Sequence, residues 1–125
     1  MKFVERNIIF HQNHFMDFYL EQQPAVQEKI EFVFSVIRQV ERIPKKFLEH
    51  IEGSDGLFEI RIEVGSNIFR VFCCFDEGQL VVLFNGFQKK TQKTPRNMIE
   101  KATQLKQSYF EFKKQSNGKG RIKKG

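Results

Sequence analysis

Hydrophobic and polar side chains alternate along three consecutive segments in the middle of the chain. In LFEIRIEV (57–64) every second residue is apolar, namely Phe58, Ile60, Ile62 and Val64. Such alternation is typical of a β-strand with one buried face. Two more apolar segments follow after short turn signals: IFRVFCCF (68–75) and QLVVLFNGF (79–87). Connections this short predict an antiparallel meander of three strands.

Helical spacing precedes and follows these strands. Apolar residues recur at intervals of four and three between Pro24 and Pro44, at Val26, Ile30, Val33, Ile37 and Val40. The same intervals follow Thr94-Pro95, at Met98, Ala102, Leu105, Tyr109 and Phe112. We expect Thr94 to cap this second helix and Pro95 to occupy its first position.

Shorter elements complete the predicted order β-α-α-β-β-β-α. KFVERNIIFH (2–11) is a first strand, a short helix follows Asn13, and KKFLEHIEG (45–53) adds a turn or two of helix. This order predicts an α+β fold: an antiparallel sheet with an N-terminal helical hairpin packed on one face, and a C-terminal helix. Residues 113–125 have no periodicity and predict a flexible basic tail, which leaves residues 1–112 as a single domain.

Composition narrows the class of protein. A chain of 125 residues with 40% apolar residues fits one domain with its own core. No secretory signal or spanning segment is visible, so we expect a cytoplasmic protein with no membrane contact. Cys73 and Cys74 should face opposite sides of one strand as core residues. The histidines His11, His14 and His50 lack partners at ligand spacing, so no metal or other cofactor is predicted.

Charge is distributed unevenly along the sequence. Residues 1–77 hold nine Lys/Arg and thirteen Asp/Glu, a net charge of −4, whereas residues 78–125 hold twelve and two, a net charge of +10. This asymmetry indicates a polyanionic partner for the C-terminal part. A solvated basic helix and tail accounts for the charge equally well, so charge alone leaves both interpretations open.

Two arginines, Arg61 and Arg70, interrupt apolar strands. A charge at mid-strand must lie on an open face or find a partner. Arg61 has Glu59 and Glu63 in its own strand, so an ion pair is as good an interpretation as a binding role. Arg70 has no acid in its own strand. If one sheet face is open to solvent, both arginines and the lysines after the last strand can converge there.

The lysines Lys89, Lys90 and Lys93 lie directly before the predicted helix start, and Arg96 follows it. Free backbone amides and partial positive charge at a helix N-terminus, combined with these cations, form a natural phosphate site. A solvated basic loop is the alternative. Phe87 beside the lysines can stack a nucleic-acid base, although ordinary core packing is the better interpretation of a Phe taken alone.

Several motifs together resemble a known family. They are L-x-E-x-R (Leu57, Glu59, Arg61), the pair Phe69-Arg70, and GFQKKTQKTP (86–95) after an apolar strand. Residues 1–110 resemble the RelE/ParE toxin superfamily, and most of all the phage-derived, HigB-like branch of type II toxin–antitoxin systems. The predicted element order agrees with that family's fold.

The resemblance implies a ribosome-dependent mRNA endonuclease that is silenced by a helix-turn-helix antitoxin. In that chemistry the ribose 2′-OH attacks the adjacent phosphate. Arg61 and Arg70 are implied to hold the phosphate, and Lys89 and Lys90 to add positive charge, with one lysine as a candidate base. Implied substrate contacts are Phe87, Lys93, Thr94 and Arg96.

The proton-transfer residues remain open within this resemblance. Some family members carry a catalytic His or Tyr near the end of the last strand, where this sequence has Asn85 and Phe87. Two alternatives therefore stay in view: a non-nuclease protein of the same fold, such as a gyrase inhibitor, and a bare RNA-binding module. The combination of Arg61, Arg70 and the lysines favours the nuclease.

Overall fold

The computed structural model describes residues 4–90 and 93–124, with side chains up to Ser116. It is an α+β fold, as predicted, with five strands and three helices. The elements are β1 (Asn7–Phe10), α1 (His14–Leu20), α2 (Pro24–Gln39), β2 (Leu48–His50), β3 (Phe58–Val64), β4 (Asn67–Asp76), β5 (Leu80–Lys89) and α3 (Arg96–Lys124). None of the described helices is long and apolar enough to span a bilayer.

The strands form one sheet in the order β1-β5-β4-β3-β2. β3, β4 and β5 are the predicted antiparallel meander. β1 lies beside β5 and runs parallel to it, from Asn7 opposite Leu80 to Phe10 opposite Leu83. The sheet is therefore mixed rather than wholly antiparallel, which the local patterns of the strands do not reveal.

The segment expected to extend the helical hairpin contains a strand instead. Leu48, Glu49 and His50 pair with Ile60, Glu59 and Phe58 of β3. A helix of one or two turns gains little, because its nucleation is costly and few hydrogen bonds follow. Pairing with the edge of β3 satisfies the same backbone groups and adds side-chain contacts across the strands.

Helices cover both faces of the sheet. α1 and α2 pack on one face over a core that includes Ile60, Val71 and Leu83. α3 packs on the other face over Phe72, Phe84, Val82 and neighbours. Cys73 belongs to the first core and Cys74 to the second, which confirms that they face opposite sides. Both thiols are free, and burial raises the pKa of Cys74 to about 11.

α3 begins at Arg96, one residue later than predicted. The Pro95 carbonyl accepts hydrogen bonds from the amides of Met98 and Ile99, so Pro95 directly precedes the helix instead of occupying its first position. Farther along, Tyr109 Oη and Lys113 Nζ donate to Asp76 Oδ2 at 2.7 and 2.8 Å.

These two contacts tie α3 to the end of β4. Burial and the carboxylate of Asp76 raise the pKa of Tyr109, so its hydroxyl stays protonated and acts as a donor. The helix continues through residue 113. The division into a domain of residues 1–112 and a tail of residues 113–125 stays a prediction.

An irregularity in β5 brings its backbone close to α1. Leu83 pairs with Cys73 and Gly86 with Val71, so β5 uses one more residue than β4 over this interval. A Cβ atom on Gly86 would lie 2.5 to 2.9 Å from the ring of Phe18. Real side chains do not approach so closely, so only glycine fits here while Phe18 keeps its position.

We expect Gly86→Ala to lower the free energy of unfolding by about 1–3 kcal/mol, the usual cost of overpacking a core. Gly86 does not have the positive φ of the turn glycines, so the effect is steric. Urea unfolding measures it. Combining Gly86→Ala with Phe18→Leu should recover part of the loss relative to the two single variants. Additive losses would show that Phe18 is not the obstacle.

Candidate active site

The register of the meander places Arg61, Arg70 and Phe87 side by side on three adjacent strands. Arg61 pairs with Arg70, and Arg70 pairs with Phe87. Side chains two residues apart on a strand share a face, and Phe72 belongs to the core beneath α3. The two arginines therefore lie on the α3 side of the sheet, with Arg70 between its neighbours, as the strand order predicted.

Arg70 is buried, with 2% of its surface exposed. Its Nε lies 2.8 Å from Glu59 Oε2, and its Nη1 donates to the carbonyl of Phe69 at 3.3 Å. The Nε–H is not aligned with the carboxylate, so the contact is an ion pair without a well-formed hydrogen bond. Burial is the main influence on the Arg70 pKa and lowers it, while Glu59 opposes that shift.

Glu59 lies between the two arginines. Its Oε2 is 3.5 Å from Arg61 Nε as well as 2.8 Å from Arg70 Nε. Glu49 on β2 approaches Arg61 Nη1 at 3.3 Å and Lys45 Nζ at 3.4 Å. The ion pair between Arg61 and Glu59 was one of the two interpretations of the sequence. The acid that pairs with Arg70 is Glu59 on the adjacent strand. Because the sequence interpretation considered only acids within the strand of Arg70, it missed this pair.

The condition under which the arginines and lysines could converge, one sheet face open to solvent, is not met, because α3 covers much of the second face. The core beneath α3 includes Phe72 and Phe84, directly beside Arg61 and Arg70. Arg70 is consequently enclosed, while Arg61 keeps 31% of its side chain exposed. A phosphate group can reach Arg61 directly but must displace neighbouring groups to reach Arg70.

The predicted lysines do not form a single patch. Lys89 ends β5 opposite Ile68 and lies two residues from Phe87 on the same strand, so it belongs to the face of Arg70. Lys90 is exposed and lines a groove beside α1. Lys93 is exposed, and residues 91 and 92 before it lie outside the described residues.

Thr94 and Arg96 line a different groove, of about 690 Å³, between the start of α3 and residues 51–54. Its walls also carry Glu52, Glu100 and Gln104. Because its charges are of both signs, this groove is not strongly basic. The structure thus separates Thr94 and Arg96 from Lys90, although all three belong to the same stretch of sequence.

Phe87 belongs to the core. It is 8% exposed, and its ring centroid lies 5.4 Å from that of Phe72. Little of the ring is accessible to a nucleic-acid base, so Phe87 is a core residue in this structure. Its Cα pairs with that of Arg70 across β4 and β5.

The carboxylate of Glu59 is the feature that the sequence interpretation undervalued. Glu59 was considered as a neutralising partner of Arg61 and not as a group with chemistry of its own. A signal was present, because Glu59 and Arg61 are two residues apart and so must share a face. Among the described residues, no group of three His, Cys, Asp or Glu side chains could hold a metal ion.

The arrangement combines two functions that acid–base chemistry on a phosphodiester requires. Two guanidinium groups are bidentate donors suited to phosphate oxygens. A carboxylate in contact with both can accept a proton from a hydroxyl group. Burial of Arg70 and Glu59 excludes water from their contact, which strengthens it.

Residues 17–107 match the family described as "Phage derived protein Gp49-like (DUF891)". This family is RelE/ParE-like and belongs to toxin–antitoxin systems, and the five-stranded α+β fold is consistent with that class. No curated protein matches the sequence significantly. The matched segment contains the end of α1, all of α2, the meander with Arg61 and Arg70, and the first part of α3. The chain therefore belongs to the phage-derived Gp49-like family.

Proposed function

We propose that this protein is the toxin of a type II toxin–antitoxin system, of the HigB-like branch, and that it cleaves mRNA on the ribosome. The observation that carries the proposal is the contact of Glu59 with both Arg61 and Arg70. Family membership supports the toxin role. A helix-turn-helix antitoxin is the partner that this role requires.

The proposed reaction is attack of the ribose 2′-oxygen on the adjacent phosphorus. Glu59 takes the proton of the 2′-OH, because an ionised carboxylate is an acceptor while a lysine ammonium group must first lose a proton. The new P–O2′ bond forms as the P–O5′ bond breaks, which leaves a 2′,3′-cyclic phosphate. Lys89, on the same face of the sheet as Arg70, donates a proton to the departing 5′-oxygen. Arg61 and Arg70 stabilise the charge that develops on the phosphate oxygens.

Substrate contacts extend the site along the nucleic acid. Lys93, Thr94 and Arg96 lie at and just before the start of α3. Arg96 and Lys93 are exposed and suited to backbone phosphates, and the Thr94 hydroxyl can bond a phosphate or a sugar. Phe87, buried against Phe72, is assigned a packing role rather than base stacking.

The ion pairs that Arg61 and Arg70 form in the free protein fit an enzyme that depends on the ribosome. Glu49 and Glu59 neutralise the two arginines, so a phosphate must compete with carboxylates that are already in place. A single-stranded RNA free in solution gains little from such a site. An mRNA held rigidly by the ribosome presents its phosphate without further loss of entropy, which favours the exchange.

A non-nuclease protein of the same fold, either a gyrase inhibitor or an RNA-binding module, is the second candidate. The observation in its favour is that Arg70 is 2% exposed and already ion-paired, as in a purely structural network. The two candidates differ first in whether the wild-type protein cleaves mRNA at all, and then in whether the Glu59–Arg70 pair is needed for cleavage or only for stability.

A paired substitution separates these candidates. Replacing only one member of a buried ion pair leaves an uncompensated charge and costs about 3–5 kcal/mol, which confuses folding with function. Glu59→Gln combined with Arg70→Met removes the charges together and is often neutral for stability. We expect this double variant to fold and to cleave reporter mRNA on translating ribosomes about 10²–10³-fold more slowly, measured by primer extension.

The matched control is Asp76→Asn combined with Lys113→Met. That ion pair has the same 2.8 Å separation, and Asp76 lies six residues from Arg70 along β4, about 20 Å away. We expect the control to cleave at the wild-type rate, with thermal unfolding confirming that both variants fold. A folded Glu59→Gln/Arg70→Met protein that retains full cleavage would leave the structural network as the better account.

The lysines should contribute electrostatic binding. Replacing Lys89, Lys90 and Lys93 with Ala should reduce the slope of log affinity against log salt by roughly 0.7 per lost phosphate contact on single-stranded RNA. Fluorescence anisotropy over a series of salt concentrations measures the slope. The control replaces Lys29, Arg42 and Lys46 of the acidic N-terminal part. Equal slopes for both triple variants would contradict specific phosphate contacts.

Toxicity is the test in cells. Induced expression in bacteria should arrest growth, and co-expression of a helix-turn-helix protein encoded by an adjacent gene should relieve the arrest. The Glu59→Gln/Arg70→Met variant should permit growth at the same protein level. Unimpaired growth with abundant wild-type protein would contradict the toxin assignment.

A further inference from the structure

One edge of the sheet carries apolar side chains that the fold leaves exposed. β1 is the end strand, and no described strand lies on its outer side. Ile9 and Phe10 are 40% and 45% exposed. Ile9 pairs with Val82 of the core beneath α3, and Phe10 with Leu83 of the core beneath α1 and α2. Exposed apolar groups therefore lie on both faces of this edge.

The backbone of β1 has a free side as well. The amides of Asn7 and His11 donate hydrogen bonds toward β5. Because the direction of the amide alternates along a strand, the amides of Ile8 and Phe10 point away from β5. An end strand with outward amides and carbonyl groups is a template on which a further strand can pair.

The end of α2 limits the length of the strand that can be added. The carbonyl groups of Gln39 and Arg38 accept hydrogen bonds from the amides of Val4 and Arg6, just before β1. Gln12, just after β1, has a positive φ of 62°, so the chain is no longer extended there. A long extended peptide would collide with α2, whereas a strand of about four residues fits. β1 of a second copy is four residues long.

A pocket of about 210 Å³ adjoins this edge on the side of α1 and α2. Glu31 and Arg38 of α2 line it, and both are exposed. Glu31 accepts a hydrogen bond from Tyr19 Oη at 3.0 Å. Among the described residues, neither Glu31 nor Arg38 has an oppositely charged partner. The apolar part of the lining consists of Ile8, Phe10, Phe15, Met16, Phe34 and Leu83.

The two charges make this surface complementary to itself. Glu31 and Arg38 are seven residues apart, which is about 10 Å along the helix axis. A two-fold axis between two β1 strands would run the two α2 helices antiparallel on the same side of the joined sheet. Each Arg38 would then face the carboxylate of the other copy, because a two-fold interface repeats every contact in both directions. RNA would gain little here, since the two charges cancel.

We propose that two copies of this chain form a two-fold dimer through antiparallel pairing of their β1 strands. Phe10 of each copy packs at the apolar pocket of the other, and Arg38 pairs with the partner's Glu31. The dimer does not rest on the proposed function. Arg61 and Arg70 lie on β3 and β4, separated from β1 by β5, so the interface leaves them free.

Sedimentation equilibrium of the full chain tests the dimer. Short edge strands form a small interface, so we expect a Kd on the order of 10–100 μM. Glu31→Arg or Arg38→Glu places like charges opposite each other at both ends of the interface, and each should weaken the dimer about ten-fold or more. An equimolar mixture of these two variants sets two cations against two anions, so it should form a heterodimer about as tight as the wild-type dimer.

The matched control for the charge reversals is Lys29→Glu. It makes the same change of charge on the same helix, but Lys29 lines a different groove, with Glu63 and Val64 of β3. We expect this variant to dimerise like the wild type. An equal loss in Lys29→Glu and Arg38→Glu would show that net charge, and not the contact with Glu31, controls association.

Phe10→Ser tests the apolar part of the interface. It removes the exposed ring beside the pocket, so the dimer should weaken about ten-fold or more, as for other aromatic groups at the centre of an interface. Leu20→Ser is the control, because Leu20 is 66% exposed at the end of α1 and does not line the pocket. Circular dichroism and thermal unfolding check that both variants fold. An equal loss in both would overturn the role of Phe10.

Several outcomes overturn the dimer as a whole. They are a wild-type chain that stays monomeric well above the expected Kd, a dimer that survives both charge reversals, and a mixture of the two variants that stays monomeric. A monomer that binds phenylacetate, with binding lost in Arg38→Glu, would assign the pocket to a small apolar acid instead. Failure of the proposed function is distinguishable. A wild-type chain that dimerises but cleaves no mRNA contradicts the nuclease and retains the interface.

Discussion

Arg70 carries a positive charge at a position where 2% of its surface reaches solvent, and the carboxylate of Glu59 lies 2.8 Å from its Nε. Removing such a charge from water costs several kcal/mol, which only close opposite charge and hydrogen bonds can offset. The pairing of β3 with β4 therefore has to hold Glu59 and Arg70 together. The network then extends through Arg61 to Glu49 on β2, so four side chains on three strands depend on one register.

This electrostatic constraint also shapes the proposed chemistry. The groups that would bind and activate a phosphodiester neutralise one another in the free protein. Catalysis then requires that substrate phosphate take the place of a carboxylate on the arginines, which frees Glu59 to accept a proton. A site of this kind is weak toward an RNA that must also lose conformational freedom, and it gains from a partner that positions the RNA.

α3 gives the two ends of the sheet different properties. At one end, Tyr109 and Lys113 bond to Asp76 and hold the helix against β4. Toward the other end, α3 begins beside Asn85, and β1 stops at the level of Leu83. The arginine cluster and the uncovered edge of β5 both lie in this second region.

Local patterns in the sequence were sufficient for most of the architecture. Alternation in residues 57–64 identified β3, intervals of three and four identified α2 and α3, and short turns identified the antiparallel meander. These features depend on neighbours along the chain, which a single sequence displays. The opposite orientations of Cys73 and Cys74, and the position of Arg70 between Arg61 and β5, follow from the same local geometry.

Tertiary structure alone decided the features that depend on contacts between distant segments. The strand at Leu48–His50 exists because β3 offers an edge, and β1 pairs in parallel with β5, from which α1, α2 and three strands separate it along the chain. Burial of Arg70 and Phe87 required α3 on the second face, and the unpaired Oδ1 of Asn85 required its contact with Met98. The sequence by itself determined which residues are cations, acids and strand formers. Pairing between segments far apart in the chain decides which carboxylate contacts each cation and which edge of the sheet has no strand beside it. A local sequence pattern does not reveal the energy of such pairing.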